Sequence, residues 1–562
     1  MASLDHITGA PAERPLAWRF RLDGWTVGTL LIALLVATPI LAVIGIAFAP
    51  SGDIWVHLVD TLLARYAGNT FLLMLGVSLG TFVIGVGTAW LVTMCRFPGA
   101  RLFEWALLLP MAVPAYVIAF TYTDLLEYAG PVQQALRALF GWQSARDYWF
   151  PEIRSLGGAG AMFTLVLYPY VYLLSRAAFL EQSVCVLEIS RTLGRTAWGS
   201  FLTVAVPLAR PAIAIGIALA LMETLNDYGT VSYFAVSTFT AGIFDVWLGM
   251  NSLPGAAQLA CLLLAIIVVL VVVERLSRRR QRFHHTSSRY SPLPRLRLRP
   301  LAAALATLAC LTPVALGFLM PGAVLVAFAV SGAWQTAFLG DVANSLMLAA
   351  LAAALAVLTG LFMAYGVRLG ASPVLRAATQ FASLGYAVPG AVLAVGVIVP
   401  FAWFDNTLDR FLRDSFGVST GLILSGTLIA LTFAYVVRFL ALSFGTVEAG
   451  LGKVTTSMDQ AARTLGHGPF STLRRVHLPM IRTSVLTAGL LVFVDVMKEL
   501  PMTLLLRPFN FHTLATRVYE YAADELLEEA ALPALAIVAA GIGPVVLLSL
   551  AIRRSRPGSG GG

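Results

Sequence analysis

Apolar residues run through this chain in blocks long enough to cross a bilayer, and short polar stretches between them carry most of the charge. Positions 25–49, 71–94 and 256–273 are the plainest examples. A span needs about 20 mainly apolar residues to cross a hydrocarbon core of roughly 30 Å. Backbone groups inside lipid have no water to bond, so such blocks must be helical. The pattern predicts about twelve spans, near 26–49, 70–94, 104–124, 159–180, 208–226, 256–274, 301–329, 344–367, 374–402, 419–444, 480–497 and 530–552. The fold class is therefore all-α, a polytopic membrane protein.

Composition agrees and excludes a soluble protein. Of 562 residues 58% are hydrophobic and 12% charged, against roughly 45–50% and about 25% in soluble domains. No cleavable-signal pattern precedes the first span, which is expected to stay as an anchor. The closing 557–562 reads as a flexible tail. The formal charge of +9 is explained by where it sits. Arg275, Arg278, Arg279, Arg280, Arg282, Arg289, Arg295, Arg297 and Arg299 crowd a stretch with no acid after Glu274. Basic loops mark the cytoplasmic side, which suits this cluster better than a nucleic-acid or lipid-headgroup patch. Arg96, Arg101, Arg368 and Arg376 fall on the same side, while 227–254 has no Lys or Arg. Both termini and the central linker are thus expected in the cytoplasm. Cys95, Cys185, Cys261 and Cys310 suggest no disulfide framework. His284 and His285 sit in the basic linker and carry no metal assignment.

The chain repeats itself. AVPAYVIA at 112–119 returns as AVPGAVLA at 387–394, and Asn69-Thr70 returns as Asn344-Ser345, both 275 positions on. Arg191-Thr192-Leu193-Gly194 returns as Arg463-Thr464-Leu465-Gly466, 272 positions on. Two six-span halves therefore share one orientation, related by an axis along the membrane normal with the pathway between them. The divisions are 1–274, a basic linker at 275–299, 300–556 and the tail.

Between the fourth and fifth spans stand Glu188, Ile189, Ser190 and Gly194, then nine residues, then Val204-Ala205-Val206-Pro207. Between the tenth and eleventh stand Gln460, Ala461, Ala462 and Gly466, nine residues, then Val476-His477-Leu478-Pro479. Glycine suits a left-handed turn that ends a helix, and proline suits the first turn of the next. The spacing resembles the EAA loop of bacterial ABC importer permeases (E-A-A, three residues, G, nine residues, I-x-L-P), present twice. Gln460 and Ile189-Ser190 depart from that pattern while the glycine–proline frame stays. The resemblance implies a type I importer permease whose loops insert into two copies of a cytoplasmic ATP-binding-cassette ATPase. It implies a multi-pass protein of the bacterial inner membrane working by alternating access, with no cofactor on this chain and ATP and magnesium on the partner. A phosphate-binding loop needs G-x4-G-K-[ST], and Gly452-Lys453 is followed by Val454, so the chain is read as a transport subunit and not an enzyme. A gradient-driven secondary transporter or a channel would not need two docking loops.

Longer stretches resemble the ferric-iron branch of fused permeases: Leu221-Met222-Glu223-Thr224-Leu225-Asn226-Asp227-Tyr228-Gly229 in one half, Met497-Lys498-Glu499-Leu500-Pro501 in the other. That resemblance implies ferric cargo delivered by a periplasmic binding protein, with Arg507, Arg517 and Asp245 as the residues expected to meet it; thiamine, phosphonate and polyamine permeases share the fold and loop. The residues add a hint of their own. Glu223 and Asp227 lie four apart on one helix face, and Asp495 and Glu499 stand 272 positions on. Hard cations prefer oxygen ligands, so these four carboxylates are candidates for a transient ferric site at the outer ends of their helices. Tyr168, Tyr170 and Tyr172 are candidates for phenolic ligands on the pathway or for an aromatic belt. Lys498 neutralising an acid in the headgroup layer, or docking of the delivery protein, are the other readings. Arg176 and Arg438 are expected to snorkel to the cytoplasmic face.

Overall fold

The computed structural model describes residues 23–181, 196–279, 296–332, 337–370 and 372–554. Among them eleven helices are long and apolar enough to cross a membrane, or twelve when a pair bent by 90° counts as one span. We number them span 1 (Gly24–Ala47), span 2 (Ile54–Met94), span 3 (Ala100–Ala112 with Ala115–Phe140), span 4 (Leu156–Leu180), span 5 (Phe201–Asn226) and span 6 (Leu253–Val273). The second half supplies span 7 (Pro300–Ser331), span 8 (Phe338–Gly370), span 9 (Gly390–Phe416), span 10 (Leu428–Leu451), span 11 (Pro469–Met497) and span 12 (Leu527–Pro544).

Four departures from the hydropathy pattern have physical causes. Span 3 is not continuous but breaks at Val113-Pro114, both in extended conformation. Span 9 starts only after the equivalent Pro389, preceded by a separate helix, Pro373–Ala382. Proline restricts the residue before it to extended conformations, so one proline per half interrupts an apolar run that hydropathy reads as uniform. Span 10 begins at Leu428, not near 419, because the segment before it is fixed as loop by Asp405, whose carboxylate accepts from the amides of Leu424 and Ser425. Pro207 and Pro479 do not open their spans. Each follows a π-helical turn, Phe201–Ala205 and Leu473–His477, that already belongs to the span. A widened turn accommodates the missing amide of a proline.

Without a hydrophobic drive between helices in lipid, close backbone approach through small residues holds spans together. Spans 2 and 4 make one such pair, and spans 8 and 10 make its repeat. A side chain at Gly85 would come within 2.9 Å of the backbone nitrogen of Tyr172, and one at Gly360, 275 positions on, within 2.9 Å of that of Phe444.

The packing crosses the sequence halves. Span 1 lies against the second half, with Trp25 stacked on Phe362 at 4.7 Å between ring centroids and Pro39 against Gly396. Span 7 lies against the first half: Tyr122 donates to the Leu316 carbonyl at 2.8 Å, and Gly317 meets Pro110 and the Leu165 carbonyl. The linker's far end pairs with the loop after span 2, Leu296 beside Cys95 and Arg297 beside Arg96. Each first span is thus exchanged between halves.

Gly360→Val should cost about 1–3 kcal/mol by overpacking spans 8 and 10. Thermal unfolding of the detergent-solubilised protein should show the lowered midpoint.

Candidate functional site: a charged cavity between the halves

Spans 5 and 11 end at Asn226 and Met497, and the chain then turns back into the protein instead of leaving it. After span 5, Gly229–Tyr233 and Phe239–Phe244 are largely buried helices, so 227–254 is not the open loop its lack of basic residues suggests. The repeated Asn-Thr/Ser pair holds this turn in both halves. The Asn69 amide donates to the Ser237 carbonyl at 2.9 Å, and the Asn344 amide to that of His512 at 3.1 Å. Beside them the Phe239 amide reaches the Thr70 hydroxyl and the Leu514 amide the Ser345 hydroxyl.

Where the two turns meet the span 3 break, a cavity of about 90 Å³ opens. Its walls come from both halves: Val113, Pro114 and Tyr116 at the break, Val166 and Tyr170 of span 4, Glu223, Asn226 and Asp227 at the end of span 5, Arg438 of span 10, and Asp495, Lys498 and Glu499 at the end of span 11. Tyr170 and Arg438 lie near the midpoints of spans 4 and 10, so the four acids sit at mid-depth and not at the outer ends. All four do line one space.

Their surroundings differ. Glu499 is buried, accepts from Arg438 Nη1 at 3.2 Å, and also receives the Met502 and Thr503 amides and the Thr503 hydroxyl. Asp495 pairs with Lys498 at 2.9 Å. Asp227 accepts from the Thr230 amide at 2.8 Å, and Glu223 from the Tyr386 hydroxyl at 3.0 Å. The acids at the span ends are therefore not opposed by a bare helix C-terminus. Asp227 and Glu499 each bond the first amides of the next short helix, a favourable place for negative charge. Among the described residues no three or more His, Cys, Asp or Glu side chains are grouped to hold a metal ion. The four carboxylates do not form a ligand ring, because the second-half pair is spent on its own cations.

Arg438 does not snorkel. It is 4% exposed, and its Nη1 also donates to Asn226 Oδ1 at 2.8 Å, which takes the Gly390 amide at 2.7 Å as well. A side chain at Gly390 would come within 2.7 Å of both Arg438 Nη1 and Glu499 Oε1, so the glycine of AVPG is what lets this network close. Arg176 is likewise buried, pairing with Glu104 at 3.0 Å. Tyr170 faces the cavity, but Tyr168 and Tyr172 point the other way, two residues round the helix, into a core with Trp90, Cys95 and Cys310. The Tyr172 hydroxyl donates to the Glu104 carbonyl at 3.0 Å. Both leave the pathway. Arg507 and Arg517 are held within the protein, by Glu520 at 2.5 Å and Asp341 at 2.8 Å, whereas Asp245 is exposed. Sequence reasoning passed over Asn226, Tyr116 and Arg438 as cavity residues, and Tyr386 as the donor to Glu223; an arginine amid the apolar run of span 10 was the signal available.

The second glycine–proline segment is a separate surface. Thr456–Thr464 forms a short helix closed by Gly466 at φ +79°, with the His467 amide on the Ala462 carbonyl and the Gly466 amide on that of Arg463. This is the helix end the glycine was expected to make. Asp459, one place before Gln460, anchors it: Arg368 lies 2.8 Å from one carboxylate oxygen and His477 2.6 Å from the other. Gln460 and Ala461 are exposed and Ala462 is buried beneath them. Leu465 and Phe470 are 76% and 67% exposed, an apolar surface suited to a partner. Glu188, Ile189, Ser190 and Gly194 of the first segment lie outside the described residues.

Comparison with known proteins decides the family. The one described as "Binding-protein-dependent transport system inner membrane component" matches residues 81–282 and again 356–557. The chain belongs to that family. It is a fused, two-half ABC permease, a transport subunit and not an enzyme, and the family works with an ATPase and a substrate-binding protein. The permease is 27% identical to the "Fe(3+)-transport system permease protein FbpB 2" of Haemophilus influenzae over 86% of this chain and 90% of that one. It is 26% identical to the "Molybdenum transport system permease protein ModB" of Escherichia coli over 32% of this chain and 77% of that one. To the "Sulfate transport system permease protein CysT" of the same organism it is 30% identical over 32% and 64%.

Removing one partner of a buried ion pair strands the other, at about 3–5 kcal/mol, while replacing both with apolar groups is often neutral. Glu499→Gln and Arg438→Met should each lower the unfolding midpoint of the purified permease, and the double variant Arg438→Met/Glu499→Met should recover most of the loss.

Proposed function

We propose that this permease imports ferric iron handed over by a ferric-binding protein and driven by two copies of an ATPase. The observation that carries the reading is the charge of the cavity between the halves. Four acids face two bases there, leaving a formal excess of two negative charges at mid-depth, where intramembrane charge points to function. The iron-permease relative spans nearly the whole chain, whereas the molybdate and sulfate permeases match about a third of it. An acidic cavity also repels the oxyanions their names imply.

In this reading the basic loops and both termini lie in the cytoplasm, and the exposed helix around Gly466 docks one ATPase while the segment around Gly194 docks the other. ATP draws the ATPases together, the docking helices move, and the halves rock to expose the cavity outward. A partner whose affinity differs between the two states drives that shift. The Asp459 anchor to Arg368 and His477 ties the docking helix to spans 8 and 11, and span 11 carries Asp495, Lys498 and Glu499 at its far end.

Proteoliposomes holding the permease, its ATPase and its loaded binding protein should accumulate iron only with ATP; uptake of sulfate or molybdate in place of iron refutes the cargo. Gly466→Val, forced into a left-handed backbone that a β-branched residue rarely adopts, should keep ATP hydrolysis but lose most uptake. Normal uptake in that variant removes the docking assignment.

A further inference from the structure

We infer that the cavity binds its cation on the first half alone, through Glu223, Asp227 and the hydroxyl of Tyr116, and that the second half supplies a neutralised opposing wall. The inference deepens the cargo reading and rests on it only for the identity of the ion. The two halves carry acids at matching positions, yet only the second half answers them with bases. Arg438 takes Glu499 and Lys498 takes Asp495. Among the described residues no basic side chain pairs with Glu223 or Asp227, and each uses one recorded carboxylate oxygen on a neutral donor, the Tyr386 hydroxyl and the Thr230 and Val231 amides respectively.

Tyr116 points to a ligand independently of the acids. It lines the cavity, is 5% exposed, and its hydroxyl has no hydrogen-bond partner among the described residues. That hydroxyl lies within electrostatic reach of Asp227, Glu499 and Lys498. A buried hydroxyl left without a partner costs about 1–3 kcal/mol, so its retention near Asp227, a carboxylate that no base pairs with among the described residues, suits a group completed by what passes through. Two carboxylates and a phenol are oxygen donors for a hard, multiply charged cation. Three donors are too few to cage such an ion. The remaining positions fall to water, and incomplete coordination suits a site that must release what it holds.

Terbium(III), a hard trivalent ion whose emission is sensitised by nearby aromatic rings, serves as probe on the purified full-length permease in lipid nanodiscs. The wild type should bind it with sensitised emission. Tyr116→Phe should weaken binding by roughly ten- to a hundredfold, the range for losing one supporting group of a metal site, while thermal stability holds or rises because an unpartnered hydroxyl has gone. Asp227→Asn keeps the bonds to the Thr230 and Val231 amides and Glu223→Gln keeps an acceptor for Tyr386, so both should fold and both should lose terbium binding. Terbium binding at wild-type strength in Tyr116→Phe, or stability lost in step with binding, overturns the half-site. Terbium binding with the expected losses but no iron uptake in proteoliposomes removes iron as cargo and leaves the half-site standing.

Discussion

A charge in the middle of a membrane has no water to fall back on, and the architecture of this permease turns on how its mid-depth charges are answered. Arg438 is the centre of that answer. One guanidinium nitrogen reaches Glu499 of span 11 and Asn226 of span 5, and Asn226 in turn holds the first amide of span 9. Four spans from two halves therefore meet at a single cation. Neither Arg438 nor Glu499 is tolerable alone, so they form or separate together. The network joins the two halves through a few buried polar contacts.

Duplication gave both halves the same frame, and the cavity is where they ceased to match. The hooks are kept: Asn69 and Asn344 bond carbonyls 168 positions ahead of themselves in each half, and Gly85 and Gly360 permit the same backbone approach. Around the cavity the equivalent positions differ. Val166 stands where the second half has Arg438, Asn226 where it has Lys498, and Ala115 where it has Gly390. The frame demands symmetry because the same helix packing must be built twice. A cavity between two halves has two walls that need not be alike, so those positions were free to diverge.

Much of this was legible in the sequence. Span number, the twofold repeat, the helix turned by Gly466 and the convergence of Glu223, Asp227, Asp495 and Glu499 on one space all follow from apolar runs and spacing. What escaped was set by geometry at longer range. Tyr168, Tyr170 and Tyr172 look equivalent in sequence, but alternate positions on a helix face apart, and only Tyr170 reaches the cavity. Arg438 looked like a side chain bound for the headgroups because its partners, Glu499 and Asn226, are 61 and 212 positions away. The acids seemed to sit at a membrane edge because hydropathy cannot distinguish a helix that exits the bilayer from one that stops midway and folds back.

The exchange of first spans bears on how the protein is made. Span 1 leaves the ribosome ahead of the surfaces it covers, Phe362 and Gly396, which are synthesised more than three hundred residues later. The amino-terminal half cannot finish assembling during its own translation and must wait, with one face open to lipid, for its counterpart. Joining both halves in one polypeptide guarantees that the counterpart arrives nearby and in equal number, which two separately encoded subunits would have to achieve by diffusion within the membrane.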